Sequence, residues 1–236
     1  MRTHLLHGNI QTPAVWGAFL EQLPGKLALV DLRDYSADNC AAWARAFNEK
    51  VTQELESDEK HFLVGYSLGG RLALHALLEN HKLWCGAVII GAHPGSDDPS
   101  QREVWLKNDH RWAERFLKEP WDVLLKEWDA LPVFGGIPNP CPRNKEDFDR
   151  NEVARTFLAF SKGQQAYLTP RLREPNLPPV LYLSGEQDAV YSKLGRDLSE
   201  QCPAIRHEVI PRAAHRVPWE NPDAFIETVK QFLDQS

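Results

Sequence analysis

A chain of 236 residues has room for one large domain or two small ones and can bury a substantial core. Its 42% apolar and 25% charged residues are those of a soluble globular protein. A net charge of −6 argues against a basic nucleic-acid-binding surface, though not against a local basic pocket, and no apolar run approaches the ~20 residues of a membrane span. "MRTHLLHGN" has no signal-peptide pattern. Cys40, Cys85, Cys141 and Cys202 lie far apart without C-x-x-C spacing. Reduced thiols in a cytoplasmic protein, with no zinc site and no disulfide framework, are the expectation.

In chain order, "THLLHG" (3–8) predicts a buried strand ending at a glycine turn, and "AVWGAFLEQL" (14–23) a helix. "KLALVDL" (26–32) predicts a strand and "NCAAWARAFNEKVTQELES" (39–57) a long helix. "HFLVGY" (61–66) predicts a strand and "GGRLALHALLEN" (69–80) a helix. "CGAVIIGA" (85–92), "PVLYLSG" (179–185) and "IRHEVIP" (205–211) predict strands, and "PDAFIETVKQFL" (222–233) a closing helix. Continuously apolar strands separated by helices imply a mostly parallel α/β sheet covered on both faces. Residues 94–170 break the rhythm: charge, Trp and Pro are frequent, and short helices with a loop at 134–144 are expected. A helical insertion between strand ends reads as a lid on one domain spanning 1–236.

The chemistry centres on Gly65-Tyr66-Ser67-Leu68-Gly69. A strand precedes this G-x-S-x-G and a helix follows, the context of a nucleophile elbow, in which the serine is pushed into the open. The N–H of Leu68 then faces the reacting atom as an oxyanion donor, and the N–H of Asn9, after Gly8, is the second. His7 reads as a structural histidine of that loop. An elbow serine needs an acid and a base in the chain order Ser, Asp or Glu, His. Asp188 follows the 179–185 strand, with Glu186 as its rival, and His215 precedes the last helix. His215 would take the Ser67 proton while Asp188 holds its tautomer. Arg71, one helical turn after Ser67, can face the same cavity.

The strands, elbow, triad order and "HGN" loop resemble the α/β-hydrolase superfamily over nearly the whole chain. "VGYSLGGR", "GAHPG", "QREVW", "DHRWAERFLKEPWDVLLKEWDALPVF", "SGEQDAVY" and "PRAAHRVPWENP" narrow the resemblance to the MenH (2-succinyl-6-hydroxy-2,4-cyclohexadiene-1-carboxylate synthase) family. The resemblance implies a lyase of menaquinone or phylloquinone biosynthesis, without metal or cofactor. It would eliminate pyruvate from 2-succinyl-5-enolpyruvyl-6-hydroxy-3-cyclohexene-1-carboxylate by triad-mediated proton abstraction. It further implies substrate contacts by Tyr66, Arg71, Arg102 and Trp128, and by a third arginine among Arg143, Arg150 and Arg155, with Arg150 preferred.

The pattern departs from the family twice. The chain begins almost on its "HG" strand, so the family's short extra strand pair should be missing and one sheet edge truncated. "LVDLRDYSADN" replaces the "PGHG"-type turn that borders the site in relatives. A serine hydrolase acting on an ester, thioester or carbon–carbon bond is the alternative function, and a non-catalytic binding protein a third. A monomer or small homo-oligomer is expected.

Overall fold

The computed structural model describes residues 1–35, 37–141 and 143–235. Among these, six parallel strands form one sheet: β1 (Arg2–Leu6), β2 (Lys26–Val30), β3 (His61–Tyr66), β4 (Gly86–Ile90), β5 (Val180–Gly185) and β6 (Ile205–Ile210). Their order is β2-β1-β3-β4-β5-β6. The chain steps from β1 outward to β2, returns through α1 (Cys40–Gln53), and enters β3 on the other side of β1. That reversal opens a crevice at the C-terminal ends of β1 and β3, where the "HGN" loop and Ser67 emerge. No antiparallel pair precedes β1 among the described residues, and β2 forms that edge.

Side-chain alternation along the strands divides the interior in two. In β3, Leu63 points to the face covered by α1 and α2 (Leu68–Glu79), where it joins Trp43, Phe47, Leu72 and Leu77. Phe62, Val64 and Tyr66 point to the opposite face, with Trp16, Phe19 and helix α9 (Pro222–Gln235). β3, β4 and β5 are buried throughout. The edge strands are not: Leu29 on β2 is exposed despite its apolar run, because only one neighbour and one well-covered face are available there.

Two segments differ from their predicted form. Residues 14–23 do not make an α-helix; Pro13–Phe19 is a 3-10 helix. Its three-residue repeat stacks Trp16 and Phe19, three apart, onto one face of the core. The first element of the insertion is one long helix, α3 (Pro99–Lys118, 20 residues), capped by the Asp98 carboxylate on the Ser100 N–H at 2.9 Å. It packs with α4 (Trp121–Asp129) and α5 (Arg150–Ala159) around Trp112, Phe116, Leu124 and Phe157. This third apolar cluster reaches the loop after β1 through Ile10. The short helix α6 (Thr169–Leu172) returns the chain to β5, and α7 (Ala189–Gln201) and α8 (Val217–Glu220) follow β5 and β6. No described helix is long and apolar enough to cross a membrane.

Candidate active site

Ser67 joins the last residue of β3 to the first of α2 with φ 52° and ψ −109°. A non-glycine residue there stores about 1–3 kcal/mol of strain, so the surroundings must impose it. They do so through the Ser67 N–H, which donates to Ile90 O at 2.8 Å, and the Ser67 carbonyl, which accepts from the Arg71 N–H at 3.1 Å. The flanking glycines are a steric requirement. A Cβ at Gly69 would lie 2.4 Å from Leu6 O, and one at Gly65 would lie 2.5 Å from Gly69 O. The sharp turn therefore exists only because β3, α2 and the end of β1 approach backbone to backbone.

The His215 Nε2 stands 3.2 Å from Ser67 Oγ, and its Nδ1 stands 2.8 Å from Asp188 Oδ2. Because a carboxylate can only accept, Nδ1 carries the proton and Nε2 presents its lone pair to the serine hydroxyl. Asp188 also caps α7, its Oδ1 accepting the Tyr191 N–H at 3.1 Å. Both oxygens are thus engaged, and the side chain is fixed. The rival acid, Glu186, is exposed and accepts from the Arg212 N–H at 2.9 Å. The imidazole is framed by Tyr66, Tyr191 and Phe134, with ring centroids at 5.4, 4.8 and 5.8 Å.

Asn9 and Leu68 both line the cavity beside Ser67. The Gly8 N–H is taken by Gln11 Oε1 at 2.8 Å and the Ile10 N–H by Asn9 Oδ1 at 3.0 Å. Neither bond uses the Asn9 N–H, for which no partner is found among the described residues. His7 lies behind it, Nδ1 on Gly8 O at 2.8 Å and Nε2 accepting from the Leu32 N–H at 3.4 Å. It staples the loop after β1 to the turn after β2, where Asp31 binds Arg33 in place of a "PGHG"-type turn.

The cavity has a volume of about 670 Å³, enough for a substituted six-membered ring, and two cations and the carboxyl of Asp109 share its lining. Arg71 lines it, with the neutral Gln165 Oε1 at 3.0 Å as its side-chain partner. Lys162 lines it too, its Nζ 4.8 Å from the Trp105 ring centroid. Burial, and secondarily the nearby Arg71, push Lys162 down to about 8. His93 is pushed down to about 4 by burial, then by Lys162 and Arg71. Trp128 contributes apolar wall.

The other residues that the family resemblance pointed to lie outside this cavity. Tyr66 is buried against Trp219 and the back of His215, because strand alternation sends it to the α9 face. Arg102 is turned behind the wall, its Nε donating to Gly163 O at 2.9 Å. Arg150, the preferred third arginine, donates to Phe116 O and Glu119 O at 2.6 and 2.7 Å. It satisfies carbonyls at the C-terminal end of α3, which would otherwise lack partners. Arg143 pairs with Asp129, and Arg155 with Glu152 and Ala37 O. Each guanidinium is engaged by the insertion itself.

A family model described as the alpha/beta hydrolase family matches residues 5–228. The chain belongs to this family. Within it, the 2-succinyl-6-hydroxy-2,4-cyclohexadiene-1-carboxylate synthase of Serratia proteamaculans is 31% identical over 97% of this chain and 91% of its own length. The synthase of the same name from Escherichia coli K12 is 34% identical over 73% of this chain and 68% of its own. The chain is therefore a MenH-type member of the family. Among solved structures, MenH from S. aureus has a TM-score of 0.88 at 20% identity, covering 100% of this chain and 94% of its own. A thermophilic esterase from Thermogutta terrifontis has a TM-score of 0.76 at 21% identity, covering 100% and 90%. At these identities the two structures speak to the fold alone.

Among α/β hydrolases the elbow and the order of Ser67, Asp188 and His215 are legible from spacing, but the charged lining of this MenH-type member's cavity is less so. Lys162 and Trp105 are not among the residues to which the sequence points. Lys162 follows a helix end in a stretch without a motif, and Trp105 reads as one of several tryptophans in an amphipathic helix. The available signal was register: Trp105 and Trp112 fall seven apart on α3, on the face turned to the cavity.

Proposed function

We propose that this chain is a lyase of menaquinone-type quinone biosynthesis that eliminates pyruvate from 2-succinyl-5-enolpyruvyl-6-hydroxy-3-cyclohexene-1-carboxylate. The observation that carries the reading is that Arg71, a guanidinium with a neutral side-chain partner, shares one cavity with Ser67. A simple esterase gains little from a cation there, whereas a carboxylate-rich substrate needs one. His215 takes the Ser67 hydroxyl proton and the serine oxygen removes the ring proton alpha to the succinyl ketone. The Asn9 and Leu68 N–H groups meet the charge that develops on the ketone oxygen. The electron pair moves through the ring double bond, the carbon–oxygen bond to enolpyruvate breaks, and the diene forms. The imidazolium proton goes to the departing enolpyruvate, which becomes pyruvate, and the triad is restored. No bond to Ser67 forms.

Residues 94–170 serve as a lid in this reading, with Trp128 over the substrate. The enzyme would work in the cytoplasm, as a monomer or small homo-oligomer. The test is pyruvate release from the family substrate, followed with lactate dehydrogenase. Release should fall to the uncatalysed rate in Ser67→Ala, and release no faster than that variant in the wild type overturns the proposal. The strained elbow facing His215 equally suits acyl transfer, so a serine hydrolase is the second reading. An acyl adduct on Ser67 in intact-mass spectra, without pyruvate release, would favour it.

A further inference from the structure

Lys162 sits on the turn that follows α5, and that turn is fastened to α3 at several points. Ser161 Oγ donates to Asp109 Oδ2 at 2.6 Å, the Gly163 N–H donates to Ser161 Oγ at 3.1 Å, and Gly163 O accepts from Arg102 at 2.9 Å. A Cβ at Gly163 would lie 2.4 Å from Arg102 O, so the turn rests directly on the helix. The ammonium is therefore presented to the cavity from a fixed base, with the Trp105 ring as its platform.

The charged and titratable groups around it are Arg71 from α2, Asp109 from α3 and His93 from the loop after β4. Asp109 is the one acid among them, and its carboxylate is engaged by Ser161. No ion pair to Lys162 or Arg71 forms among the described residues. Burial and the neighbouring Arg71 work against the Lys162 cation, Asp109 offsets part of that, and an anion placed between Lys162 and Arg71 would relieve the rest.

We propose that Lys162 is the second anion-binding group of this cavity and that, together with Arg71, it selects substrates carrying two carboxylates over those carrying one. The inference rests on the proposed function for what the substrate is, but not for where the charges bind. The flat fork of Arg71 grips one carboxylate bidentately, and the point charge of Lys162 takes the other at a distance set by the 161–163 turn.

Calorimetric titration with succinate and with butyrate, its single-carboxylate counterpart, tests this. Wild type should bind succinate about tenfold more tightly at pH 7. Lys162→Met should lose that preference and Lys162→Arg should keep it. The wild-type preference should fade as pH rises from 7 to 9, while the arginine variant's should not. No preference in the wild type, or a preference that survives Lys162→Met with native melting behaviour, overturns the subsite. With the family substrate, Lys162→Met should raise KM about tenfold and change kcat much less. Pyruvate release with an unchanged KM in that variant removes the subsite and keeps the lyase. A Lys162-dependent succinate preference without pyruvate release keeps the subsite and removes the lyase.

Discussion

The Arg216 guanidinium lies 3.6 Å above the centroid of the Phe134 ring. Phe134 belongs to the insertion and also packs against His215, the residue before Arg216. Arg216 and Arg143 both bind the Asp129 carboxylate at the end of α4, so the insertion and the histidine loop share one clasp. Asp129→Asn would leave two guanidiniums, both nearly buried, without their charge partner. The expected cost is at the lower end of ~3–5 kcal/mol, since Asp129 itself is partly exposed. Arg216→Met keeps the bulk over Phe134 but leaves Asp129 to Arg143 alone. A drop in kcat larger than its loss of urea stability, measured side by side, is the expected signature of a displaced His215.

Ser67→Gly should separate stability from chemistry. Glycine adopts φ 52° without strain, so the unfolding midpoint should rise, reflecting about 1 kcal/mol of added stability at most, once glycine's greater freedom in the unfolded chain is set against the relief. Activity should vanish. A midpoint lower than that of wild type would mean that Ser67 stabilises its turn rather than straining it.

Gly91→Ala should strike the histidine from behind. Its φ is 54°, and a Cβ there would lie 2.8 Å from the His215 ring carbon Cε1. The imidazole must shift by a few tenths of an ångström or more, and the bond to Ser67 lengthens. A loss of kcat of about 10²-fold with the fold retained is expected, from turnover and circular dichroism of the same sample.

Buried histidines should set the acid limit of the fold. His4 is pushed down to about 3, first by burial and then by His61, and His75 to about 4 by burial and then Arg71. Both are neutral when folded and take up a proton on unfolding below pH ~6.5. Their contribution is full above pH 6.5 and is lost as pH falls toward 3–4, with a slope approaching about 1.4 kcal/mol per pH unit for each. Urea midpoints from pH 7 to 4 would show it. His4→Phe should flatten the slope, since Phe47 and Trp84 already contact that ring edge-on.

The sheet was legible because its strands are short apolar runs punctuated by glycine and by helices of clear periodicity. Ser67, Asp188 and His215 could be paired because a strand end dictates where a loop residue emerges. Side-chain direction could not be read that way. Arg102 and Arg150 lie in helices of mixed polarity, and backbone carbonyls near helix ends compete for them as effectively as a substrate carboxylate would. Tyr66 departs from its expected place for a simpler reason: one residue of register along β3 separates the cavity from the opposite core.

Asp188 holds His215 with one oxygen and the first turn of α7 with the other. Losing it would cost the fold as well as the reaction, so a descendant that had abandoned chemistry would still be under pressure to keep it. Arg71 has no such insurance: its side chain meets a neutral glutamine, and a helix there would accept many residues. In the proposed reading, loss of Arg71 would therefore cost the reaction alone, whereas loss of Asp188 would cost the reaction and the fold together.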